Sequence, residues 1–100
     1  MKKDEFDKIR WLNAFAKRRQ EDDIKQAGLS QLTARLEVQS AYFGQDNELM
    51  RQQTKIIKRM VRNAEDGGSL SEFRVLAHQL GQLQAEGLRA MMKQGPKAKR

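Results

Sequence analysis

One hundred residues suffice for a single modest core, since a chain of this length buries roughly 60–70% of the surface its unfolded form exposes. Twenty Lys and Arg against thirteen Asp and Glu leave a net charge of +7, a balance that points to an anionic partner, most often nucleic acid. The absence of cysteine excludes a disulfide framework, a thiolate zinc site and cysteine redox chemistry, and makes the cytoplasm the simplest compartment.

Ten leucines against three valines favour helix over sheet. The single proline, Pro96, lies near the C-terminus, so residues 3–94 can be helical wherever periodicity supports it. Met1, Lys2 and Lys3 are followed by Asp4, Glu5 and Asp7 rather than an apolar stretch, so no signal peptide is expected. No run of about 18 apolar residues is present to span a membrane.

The first predicted helix runs from Asp4 to about Ala27, with Asp4, Glu5 and Asp7 suited to the positive end of its dipole. Ile9, Trp11, Leu12, Phe15 and Ala16 project over one broad face, and Gly28 is a plausible C-terminal break. Trp11 and Phe15, four apart beside Leu12, read as a buried core pair rather than as rings for stacking bases. A second helix is expected from Ser30 as N-cap, with Leu29, Leu32, Leu36 and Phe43 on a narrow stripe and Gln39 at the remaining heptad position. Gly44 to Asn47 reads as a turn or kink, with Asp46 as the candidate cap of the next helix and a continuous helix through Gly44 as the alternative.

The third predicted helix, Asp46 to about Glu65, is the most amphipathic. Leu49, Gln53, Ile56, Ile57, Met60, Val61 and Ala64 occupy one side, and Arg51, Lys55, Lys58 and Arg62 align on the other at steps of four, three and four. Asp66, Gly67 and Gly68 end it, and Ser69 to Glu72 restart a helix with capping-box spacing. The last helix, Ser69 to about Gln94, carries a packing seam of Phe73, Leu76, Leu80, Leu83, Gly87 and Ala90. Lys97, Lys99 and Arg100 form a short basic tail.

Catalytic chemistry finds little support. The one histidine, His78, falls on the polar side of the last helix with no second histidine or cysteine to build a zinc site. The carboxylate pairs Asp22-Asp23 and Glu65-Asp66 are sequence neighbours that a helix turns about 100° apart. Gly67 and Gly68 lack the spacing of a phosphate-binding loop. The chain is therefore expected to be no enzyme and to need neither metal nor cofactor.

The constellation that stands out is basic. Between Leu49 and Ala64 there is no acidic residue, so Arg51, Lys55, Lys58, Arg59 and Arg62 are not neutralised along their own helix. A stripe of that extent, about 16 Å at 1.5 Å per residue, can touch several phosphates. Lys17, Arg18 and Arg19 form a weaker cluster, because Glu21, Asp22 and Asp23 follow within a turn. The expected fold is all-α: three or four amphipathic helices in a small bundle or helical hairpin, completed by self-association as a dimer or by a protein partner. Residues 1–94 are expected to form a single helical domain and 95–100 a disordered tail. The expected function is a nucleic-acid-associated accessory protein contacting the phosphate backbone. The rival is an adaptor or inhibitor whose basic face meets an acidic protein surface or a nucleic-acid channel.

Overall fold

The computed structural model describes the backbone of residues 3–44 and 46–94, and the side chains from residue 11 onward within them. Three helices, α1 (Lys3–Phe43), α2 (Glu48–Asp66) and α3 (Leu70–Gln94), make up the fold, and no strand occurs among the described residues. The basic tail at 97–100 and its Gly95-Pro96 stop lie outside the described residues.

Where two helices were expected before Gly44, α1 is one helix of 41 residues, about 62 Å long at 1.5 Å per residue. Gly28 does not break it and Ser30 does not cap a new helix. A glycine inside a helix costs only about 1 kcal/mol relative to alanine. Here the surroundings offset that cost: Gly28 sits against the Phe73 ring of α3, and Leu29 and Leu32 pack on the core. The helix stops instead at Gly44, whose φ of 86° is left-handed and whose N–H donates to the Ser40 carbonyl at 2.8 Å.

The cap of α2 falls one residue later than expected. Asn47, not Asp46, takes the extended N-cap conformation, and its Oδ1 accepts from the N–H groups of Leu49 (2.8 Å) and Met50 (3.3 Å). At the other end Gly67 adopts φ 68°, and the Gly68 N–H donates to the Asn63 carbonyl at 2.8 Å, closing a Schellman motif. Ser69 Oγ then accepts from the Glu72 N–H at 3.1 Å and starts α3. Buried Asn63 ties the two ends together by donating from Nδ2 to the Ser69 carbonyl at 3.2 Å.

The helices run up, down and up, with α3 antiparallel to α2 and all three in mutual contact. Leu32, Met60, Phe73, Leu76 and Leu80 form the core, with Leu29, Ile56, Ile57 and Ala77 packed against it. Nearer the α1–α2 turn the interior becomes polar. Gln53 of α2 donates from Nε2 to Gln39 Oε1 of α1 (2.8 Å), Gln39 Nε2 donates to the Gln84 carbonyl of α3 (2.8 Å), and Gln84 Nε2 returns to the Leu32 carbonyl (2.9 Å). All three glutamines are buried, and this layer ties α1 to both α2 and α3.

Only the second half of α1 belongs to the bundle. Lys25 is buried and donates from Nζ to the Gly68 carbonyl at 2.6 Å, which sets it beside the α2–α3 turn. Residues 3–24 therefore continue past the end of the bundle for about 33 Å, and the molecule is drawn out to 73 × 19 × 16 Å. Every side chain from Trp11 to Gln20 is exposed. The core reading of Trp11, Leu12 and Phe15 is thus overturned: they are 64%, 55% and 53% exposed, with the Trp11 and Phe15 rings stacked on each other at 5.6 Å.

Candidate nucleic-acid interface

The outward face of α2 follows from what its inward face buries. Met50, Gln53, Met60 and Asn63 point inward, and at 100° per residue this turns Arg51, Lys55, Lys58 and Arg62 to the opposite side. All four, and Arg59 beside them, are exposed. Their helix is capped at both ends and held by the core along its length, so the cations stand on a rigid support.

The five are not equivalent. Arg51 is engaged locally, donating from one guanidinium nitrogen to the Asp46 carbonyl at 2.6 Å and pairing with Glu48 at 3.4 Å. Among the described residues Lys55, Lys58, Arg59 and Arg62 have no carboxylate within 4 Å. Lys55 and Lys58 border a groove between α1 and α2 that also holds Glu37, whereas Arg59 and Arg62 border one between α2 and α3 that holds Asp66 and Glu72. The stripe therefore forms a ridge with a shallow groove on each flank.

Neutral side chains on this face are committed elsewhere. Thr54 donates its hydroxyl to the Met50 carbonyl at 2.8 Å, and Gln52 donates to Glu48 at 3.5 Å. What remains for a ligand is a row of cations, which suits phosphates.

Lys17, Arg18 and Arg19 lie on the free part of α1, beyond the α2–α3 turn, and so do not join the α2 ridge along the bundle. In the α3 seam Phe73, Leu76, Leu80 and Gly87 are buried, while Leu83 and Ala90 are half-buried flanks and Gln84 takes the central place between Leu80 and Gly87. His78 is exposed. No group of three His, Cys, Asp or Glu able to hold a metal ion occurs among the described residues, nor is any described helix long and apolar enough to cross a membrane.

Sequence reasoning missed Lys25 and Gln84 as interior residues. The signal was present in spacing alone: Lys25 stands four, seven, eleven and fourteen positions before Leu29, Leu32, Leu36 and Gln39, which places it on the inward line of α1 despite its charge. Its ammonium also lies 5.9 Å from the centre of the Phe73 ring, within cation–π range. No protein-family model matches the chain, and neither a curated protein nor a solved structure shows significant similarity to it.

Proposed function

We propose that the protein is a non-enzymatic accessory protein that binds the phosphate backbone of nucleic acid through the outward face of α2. The observation that carries this reading is the row Lys55, Lys58, Arg59 and Arg62: four exposed cations without a carboxylate partner among the described residues, on a helix fixed by its buried side. The net charge of +7 adds a long-range attraction for polyanions. A row of cations of this kind would contact mainly the phosphate backbone.

The adaptor reading draws on a different observation. Val38 and Leu88 are 61% and 53% exposed beside a groove between α1 and α3, an apolar surface that a protein partner would cover and a phosphate backbone would not. Changing Lys55, Lys58, Arg59 and Arg62 to Glu separates the two. The nucleic-acid reading expects loss of duplex binding with helix content unchanged, since all four side chains are outside the core. Duplex binding at wild-type strength by this variant would refute it.

A further inference from the structure

The free half of α1 carries a second ordered pattern, on a different side from the one that enters the bundle. Leu12, Phe15, Arg19, Asp22 and Gln26 follow one another at alternating steps of three and four, the spacing of a helix-pairing seam, and the line ends at Leu29, which also packs on the core. The first five are exposed and Leu29 is half-buried. At 100° per residue this line lies about 110° around the axis from the line of Lys25, Leu32 and Gln39 that the bundle covers. An isolated helical stretch with Trp11, Leu12 and Phe15 more than half exposed leaves apolar area in water that a partner helix would remove.

The charges on this line identify the partner. We propose that a second copy of the chain covers it, the two α1 extensions running antiparallel about a two-fold axis between Gln20 and Glu21. In that arrangement each position meets the one that mirrors it across the axis. Arg19 of one protomer faces Asp22 of its partner, and the same pair recurs by symmetry. Leu12 faces the half-buried Leu29 at each end of the seam, and Phe15 faces Gln26. A parallel pair would set Arg19 on Arg19 and Asp22 on Asp22. Sliding the antiparallel pair by one heptad either way would set Leu12 on Asp22 or Arg19 on Leu29, desolvating a charge without an opposite charge facing it. Of these arrangements only the first sets opposite charges facing each other.

A seam reaching from Leu12 to Leu29 is about 26 Å long and belongs with small, reversible interfaces of under about 1,200 Å². The dimer is accordingly in exchange with monomer as concentration changes. The α2 ridge takes no part in it, so this inference stands or falls separately from nucleic-acid binding.

Sedimentation equilibrium of the full chain over a concentration series tests it. The wild-type mass should rise from 11.6 kDa toward twice that value. Arg19→Glu, which places like charges opposite each other twice, should weaken dimerisation about tenfold or more with helix content retained. Arg19→Glu combined with Asp22→Lys should restore it, because the reversed pair again matches across an antiparallel axis. Since the chain has no cysteine, Phe15→Cys and Gln26→Cys chains mixed under mild oxidation should form the mixed disulfide in preference to either self-disulfide. A wild-type mass that stays monomeric at high micromolar concentration would overturn the proposal. So would an Arg19→Glu chain that dimerises as before, or Phe15→Cys chains that cross-link chiefly to themselves.

Discussion

Gly87 is held to its identity by one neighbour. A Cβ built there would overlap the Gln39 amide, standing 2.7 Å from Cδ. A free glutamine would swing aside, but this one is held by two buried hydrogen bonds, to the Gln84 carbonyl and from Gln53. Alanine at this position gains about 1 kcal/mol of helix propensity. Against it stand two buried hydrogen bonds, with about 1–3 kcal/mol for each polar group left unsatisfied. Packing should win. Gly87→Ala is expected to lower stability by about 1–3 kcal/mol in urea unfolding, and Gly87→Leu by more. A Gly87→Ala chain as stable as the parent would show that the glutamine layer yields freely.

At the scale of the helix, Gly28 gives the opposite sign. Its Cβ would lie 3.5 Å from the Phe73 ring, an ordinary contact, and its φ is not left-handed. Gly28→Ala should therefore stabilise the protein by up to about 1 kcal/mol. If the chain turned there, alanine would destabilise it. The caps of α2 offer a parallel comparison: Asn47→Ala should cost about 1 kcal/mol and Asp46→Ala less, because only Asn47 accepts from the first-turn N–H groups. These positions also mark what could be read in advance. The turn at Gly67-Gly68, the cap at Ser69 and the two faces of α2 are local features, legible because glycine, serine and period alone specify them. The continuity of α1 was not, since it depends on Phe73, forty-five residues away, packing against Gly28. Trp11 and Phe15 misled for a related reason. Periodicity marks an apolar face but not whether another helix reaches it, and α2 and α3 are too short to cover the far half of α1. The basic face of α2 was legible from spacing, but the local engagement of Arg51 by Asp46 and Glu48 needed coordinates.

For the molecule as a whole, elongation separates two surfaces: a cationic ridge along the bundle and an amphipathic helix projecting from its end. The ridge is the surface proposed to meet nucleic acid. Its most direct test is the affinity for a short duplex measured by fluorescence anisotropy across a range of salt concentrations. If Lys55, Lys58, Arg59 and Arg62 each neutralise a phosphate, the logarithm of affinity falls against the logarithm of salt with a slope of about −3 to −4, so that a fourfold rise in salt weakens binding roughly a hundredfold. Reverting one of the four to glutamine should reduce the slope by about one. A slope near zero, or a steep slope unchanged when all four are replaced, would rule out phosphate binding by the ridge.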